Sequence, residues 1–238
     1  MTRLFVPTTG VGNWQALLSD PELHWKRGRS AFELAVSWEA AARRESGMPS
    51  DIDAVFRQNS RLSSACLVAG FVEHRTPLPG GTRASQSDLW ALLRGSDGLI
   101  SMTVEGKAGE PFDKTVGDWR SEAGEGSGKA VRLADLAKEL GLTEIPDSIM
   151  YQLVHRTAAA VKEARRCRAA SAVMLVQSFS KDERSLRDFE AFSALLGAKT
   201  GENQVRLVKN LLGIDLFLGW VSSSLATDDV VAKAVEAG

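Results

Sequence analysis

The chain has 238 residues and a mass of 25.7 kDa, with 44% hydrophobic and 25% charged residues. That composition excludes a disordered or fibrous protein, and a chain of this length buries roughly 70% of its unfolded surface without needing disulfides or a structural metal. The formal net charge of −1 argues against a strongly basic nucleic-acid coat while leaving room for a local basic groove.

Cys66 and Cys167 form neither a disulfide framework nor a zinc spacing, and His24, His74 and His155 stand far apart. The N-terminal stretch 1–7 is too short in apolar residues for a signal-peptide core. No segment approaches the roughly 20 apolar residues that span a bilayer. These features predict a soluble, cytoplasmic protein with no membrane partner.

The first predicted helix covers about 30–45, where Ala31, Leu34, Ala35, Trp38 and Ala42 recur at helical spacing. Ser30 is its expected N-cap and Glu33 its capping-box partner. A second helix is expected over 50–62. Short apolar runs then predict strands over 65–72, 87–93 and 99–107, with a turn at 77–81 and a hairpin turn at 95–98. Three consecutive strands make an antiparallel meander. The small and charged residues of 121–129 read as an exposed loop within one domain.

Further on, helices are expected at 131–140, 146–168 and 184–196, and buried strands at 171–179 and 214–221. Gly141 and Gly197 stop the first and last of these helices. The order predicts an α/β fold: a single domain with a mixed central sheet flanked by helices.

Alternation on the third strand is clean. Ile100, Met102, Val104 and Gly106 share one face; Leu99, Ser101, Thr103, Glu105 and Lys107 share the other. One face is expected to be core, and the other ends in an acid and a base. Counting outward from the turn at 95–98 brings Asp88 close to Glu105 across the hairpin. Two carboxylates and an ammonium then converge at one edge of the sheet. Carboxylates so placed suit Mg²⁺, with a lysine beside them to orient a water or stabilise a phosphate. The same spacing equally describes a partly buried ion pair between strands.

Asp88 followed by Glu105-Gly106-Lys107, on the second and third strands after a leading helix, resembles the PD-(D/E)XK (restriction-endonuclease-like) nuclease superfamily. Its common core of helix, three strands, helix and strand corresponds to about 30–179, within a domain spanning 1–238 and extended by a helix and strand at about 184–221. The resemblance implies that Asp88 and Glu105 bind Mg²⁺ (or Mn²⁺) and that Lys107 assists the attacking water. The first motif here reads Ser87-Asp88 rather than Pro-Asp. The whole-chain pattern also resembles an uncharacterised bacterial protein family.

Many superfamily members add a glutamate from the first helix, and Glu39 flanks the apolar stripe while Glu33 lies nearly opposite it. Glu39 is therefore the expected supporting acid. On the long helix Gln152, His155 and Arg156 share a face, and the resemblance places a glutamine or basic residue of that helix beside the metal or phosphate. Gln86 shares a strand face with Asp88 and is expected to orient it. Glu110 is a further acid of unreadable direction. Basic clusters at 26–29, 43–44 and 162–168 are candidate phosphate contacts, although helix C-termini explain the last two. Trp38, Trp90 and Trp220 fall in apolar contexts and read as core.

The function this implies is Mg²⁺-dependent hydrolysis of phosphodiester bonds in DNA or RNA. The alternative is a non-catalytic binding or interaction domain that keeps the fold. A positive groove leading to Asp88 and Glu105 would favour the nuclease, and an acidic or closed surface the binding domain. Restriction-type cleavage of both strands would imply two sites and hence a homodimer.

Overall fold

The computed structural model describes residues 10–237. The short apolar stretch at 1–7 lies outside the described residues, apart from which the expected elements can be followed in order. Helices α1 (Val11–Gln15), α2 (Pro21–His24), α3 (Ser30–Ala40) and α4 (Ser50–Arg57) lead into strands β1 (Cys66–Thr76), β2 (Ser85–Gly95) and β3 (Gly98–Lys107). Helices α5 (Val116–Ser121), α6 (Lys129–Glu139) and α7 (Tyr151–Cys167) precede β4 (Ser171–Ser178), and α8 (Glu183–Leu195) follows it. Strands β5 (Gln204–Leu211) and β6 (Ile214–Ser222) and helix α9 (Asp228–Ala237) complete the chain.

The strands form one mixed sheet in the order β1-β2-β3-β4-β6-β5. Pairs β1–β2, β2–β3 and β5–β6 are antiparallel, whereas β3–β4 and β4–β6 are parallel. This is the α/β, mixed-sheet architecture that the alternation of elements predicts. The β2–β3 hairpin closes where Gly95 pairs with Gly98, whose φ of 126° suits glycine.

Two apolar cores lie on opposite faces of the sheet. One gathers α3, α4, Leu89, Ala91, Leu93, Ile100, Met102 and Val104. The other gathers α6, α7, α8, Met174, Val176, Leu216 and Leu218. Trp38, Trp90 and Trp220 are buried, as their contexts require.

Several boundaries move for identifiable reasons. Helix α3 stops at Ala40, because 41–44 continue as tight turns and Gly47 adopts a φ of 66°. Helix α7 begins at Tyr151 rather than 146, because Met150 is held extended in a bridge to Thr115. Strand β5 escapes the hydropathy pattern: it is an edge strand with charged, exposed positions and a bulge between Leu207 and Lys209.

Candidate functional site

The polar face of β3 is covered, not open to water. Ser101 Oγ donates to the Ala160 carbonyl at 2.9 Å, and Thr103 Oγ1 donates to the Arg156 carbonyl at 3.1 Å. Glu105 then meets the side chains of Arg156 and Gln152, and Lys107 meets Gln152. The match is geometric. Four residues of helix rise about 6 Å, close to the ~6.7 Å of two strand residues, so 160, 156 and 152 descend α7 in step with 101, 103 and 105–107. The face that ends in an acid and a base is thus buried against α7.

Glu105 is almost fully engaged. Arg156 Nε donates to its Oε2 at 2.7 Å, while Lys107 Nζ (3.3 Å) and the Gln152 amide both reach Oε1. Burial alone would raise the Glu105 carboxyl, but Arg156 and Lys107 outweigh it and hold the group below its ordinary value. Lys107 is buried as well, donating to Gln152 Oε1 at 3.0 Å, approaching the Pro111 carbonyl at 3.4 Å and lying 4.9 Å over the Phe112 ring.

Asp88 is placed differently. Beyond the last β2–β3 ladder pair, Leu89 with Val104, the same register brings Asp88 opposite Glu105. Its Oδ2 accepts the Gly106 N–H at 2.8 Å. Burial, reinforced by Glu105 and Glu73, pushes the Asp88 carboxyl well above its ordinary value. No cation in the network touches it as Arg156 and Lys107 touch Glu105.

Asp88, Glu105 and Lys107 line one cavity of about 320 Å³, together with Glu73, Gly106, Glu110, Arg29 and Ser30. Glu110 bridges its rim, receiving the Ser30 hydroxyl on one oxygen and the Ala108 N–H (2.8 Å) on the other. Sequence reasoning overlooked Glu73. It stands on β1 opposite Asp88, between the pairs Val72–Leu89 and His74–Ser87, and burial raises its carboxyl. No composition or periodicity signal distinguishes it from any other charged strand residue.

The supporting residues divide. Gln152 reaches both Glu105 and Lys107. Gln86 does not orient Asp88; its amide donates to Glu73 Oε2 and its carbonyl accepts from Arg75. His155 turns away from the cavity, with Nδ1 2.8 Å from Ser85 Oγ, and burial followed by Arg156 pushes its ring well below the usual histidine range. Ser85 Oγ in turn accepts from Arg156 Nη1 at 3.3 Å, so His155 braces Arg156 from behind. Of the three residues the helix-face argument groups, Gln152 and Arg156 reach Glu105, and His155 bonds Ser85 instead.

Glu39 is not among the cavity residues. The N-terminus of α3, at Ser30 and Ala31, faces the cavity, and Glu39 lies about 12 Å further along the helix. Its Oε1 instead accepts the Trp14 indole N–H at 2.7 Å. Glu33 binds chain segments at both ends, accepting from Gly28 N and Ala226 N at 2.7 Å each. The cap of α3 is Arg29 rather than Ser30.

Of the basic clusters, Arg29 lines the cavity, whereas Arg27 pairs with Asp228 and Arg44 with Asp53. Lys162 and Arg165 pair with Glu139, and Arg166 with Glu163.

Among the described residues no group of three or more His, Cys, Asp and Glu side chains stands close enough to hold a metal ion by itself. Mg²⁺ commonly takes only one or two protein carboxylates, leaving its other positions to water and substrate oxygens. Asp88 and Glu105 meet that smaller requirement. Three of the roughly four lone-pair directions of Glu105 are occupied by Arg156, Lys107 and Gln152, whereas Asp88 among the described residues accepts only the Gly106 N–H. The donor set thus fits a hard cation held chiefly by Asp88.

Among the described residues no helix is long and apolar enough to cross a membrane. No curated protein and no solved structure matches the chain. Residues 7–225 match the family described as a domain of unknown function, DUF6946, and the chain belongs to that family.

Proposed function

We propose that the cavity formed by Asp88, Glu105 and Lys107 hydrolyses phosphodiester bonds in DNA or RNA with Mg²⁺ or Mn²⁺ as cofactor, as the PD-(D/E)XK resemblance implies. The observation that carries this reading is the Asp88 carboxyl, which lines the cavity beside Glu105, accepts the Gly106 N–H and forms no ion pair among the described residues. The order of helix, three antiparallel strands, helix and parallel strand supports it. When bound, the ion would polarise a phosphoryl oxygen and acidify a water. Asp88 and Glu105 would hold it, Arg156 and Gln152 would fix the orientation of Glu105, and Lys107 would stabilise charge on the phosphate. Both cysteines are free, in keeping with a reducing, cytoplasmic setting. Cutting both strands of a duplex would need two copies of the site and hence a homodimer.

A second reading, a non-catalytic binding domain, is favoured by the charge of the lining. Four carboxylates (Glu73, Asp88, Glu105 and Glu110) stand against Arg29 and Lys107. That surface attracts a cation before it attracts a bare phosphate. Incubation of wild type, Lys107→Ala and Glu105→Gln with single- and double-stranded DNA and RNA, with Mg²⁺ or Mn²⁺ and with chelator, separates the two. The nuclease reading expects metal-dependent cleavage in wild type that both substitutions depress. Folded wild type that cuts none of these substrates would leave the binding domain.

A further inference from the structure

Strands β1 and β2 change face together, and they do so at the acids. On β1, Val72 belongs to the core shared with α3 and α4, yet His74 and Thr76, of the same parity, hydrogen-bond Glu163 on α7. On β2, Leu89, Ala91 and Leu93 belong to the α3/α4 core, whereas Ser85, again of the same parity, bonds His155 on α7. A regular strand keeps residues i and i+2 on one face. Both strands therefore invert between these points, and Glu73 and Asp88 stand opposite each other at the inversion.

The backbone shows how. Glu73 has a φ of 52°, inside β1. The other non-glycine residues of positive φ among the described residues occupy element ends or turns: Arg168 caps α7, Asn203 precedes β5 and Leu212 joins β5 to β6. A left-handed residue costs a side-chain-bearing position some strain, and such strain within a strand is held in place by its surroundings. Here Gln86, across the β1–β2 pair, donates to the Glu73 carboxylate and is itself held by Arg75. That tie joins the two strands at the point where both turn over.

We infer that Glu73 is a positioning residue for Asp88: its left-handed backbone inverts β1, β2 follows through the ladder, and the Asp88 carboxylate is delivered to the cavity against Gly106 N–H. The placement is independent of the proposed chemistry; only its consequence for ion affinity rests on that reading. Glycine adopts the left-handed conformation freely, and a β-branched residue resists it. Backbone conformation at 73, not merely the loss of a side chain, should therefore govern Asp88.

The amide resonance of Gly106 reports that placement directly, since it donates to Asp88 Oδ2. In ¹⁵N-labelled full-length protein without divalent ions, Glu73→Val should move this resonance to its position in Asp88→Ala and speed its exchange about tenfold or more, as loss of a hydrogen bond of about 1.4 kcal/mol does. Glu73→Gly should keep it near the wild-type position. If Glu73→Val does not fold, Glu73→Ala should shift the resonance in the same direction and Glu73→Gly should not. An unmoved Gly106 in the folded valine or alanine variant overturns the inference, as does an equal shift in the glycine variant. Calorimetric Mg²⁺ titration of the same proteins separates the two claims. Affinity falling with the Gly106 shift supports both. A Gly106 shift with wild-type Mg²⁺ affinity keeps the positioning role and overturns Asp88 as a ligand.

Discussion

The two sides of the sheet at Glu105 solve opposite problems. On the α7 side, Glu105 is matched by Arg156, Lys107 and Gln152, in a network braced by Ser85 and His155. On the cavity side, Asp88 is only part-buried, meets a backbone N–H and two like charges, and its neighbour Glu73 sits in a left-handed conformation. The first side is arranged for stability and the second against it. Desolvated, under-compensated groups cluster at functional sites, so on the proposed reading the cavity side carries the function and the α7 side the scaffold.

The largest effect should come from breaking the scaffold. Glu105→Gln leaves the buried Arg156 and Lys107 without their anion and should cost about 3 kcal/mol or more, a fall in melting temperature of roughly 6 to 12 °C for a chain this long. The triple substitution Glu105→Leu/Arg156→Leu/Lys107→Met should recover much of that loss, because an apolar set avoids the desolvation of all three charges. If the triple variant melts no higher than Glu105→Gln, the network contributes something beyond charge pairing.

Next is Lys107→Ala. Removing one donor aimed at developing charge typically lowers turnover by about 10² to 10³, so cleavage should fall by that order while divalent-ion affinity measured by calorimetry stays near wild type. Equal loss of both would make Lys107 a support for Glu105 rather than a partner of the phosphate.

Asp88→Asn should act in the other direction. The folded-state pKa of Asp88 is raised, so between its ordinary aspartate value and that raised value the native state holds a proton that the unfolded chain has released. Stability therefore falls as pH rises through that window. The asparagine, still able to accept from Gly106 N–H, should melt higher than wild type at neutral pH, and the advantage should vanish as pH drops below the ordinary aspartate value. Glu105 shows the reverse sign: its depressed pKa gives stability that is present above the ordinary glutamate value and lost as pH falls through the folded one. Melting curves of wild type and Asp88→Asn from acid to neutral pH check both signs.

The smallest effect belongs far from the cavity. Glu39→Gln keeps an acceptor for the Trp14 indole and should change stability by about 1 kcal/mol or less, with no change in ion affinity.

What the sequence reveals of this contrast depends on symmetry. The Asp88–Glu105 apposition is legible because a tight hairpin turn makes register a matter of counting, and Gly95 and Gly98 mark the turn plainly. Burial of the polar face of β3 is not, because nothing local to Ser101 and Thr103 records that α7 carbonyls receive their hydroxyls. The sequence groups Gln152, His155 and Arg156 on one helix face, but which of them reaches Glu105 depends on the docking of α7, which no local pattern records. Glu73 leaves no trace in composition at all, since a left-handed backbone inside a strand normally announces itself by glycine or asparagine and here carries glutamate. Glu39 misled for a related reason: a helical wheel gives direction around the axis but not distance along it.

Asp88→Asn also offers the most direct test of the central claim, because its loss of function could not be ascribed to unfolding. Calorimetric titration of Mn²⁺ into wild type and Asp88→Asn, with melting temperatures measured on the same samples, should show ion binding by wild type and at least about tenfold weaker binding by the variant, in a protein that melts no lower. Folded wild type that binds no Mn²⁺, or an Asp88→Asn variant that binds it as well as wild type, would contradict the account.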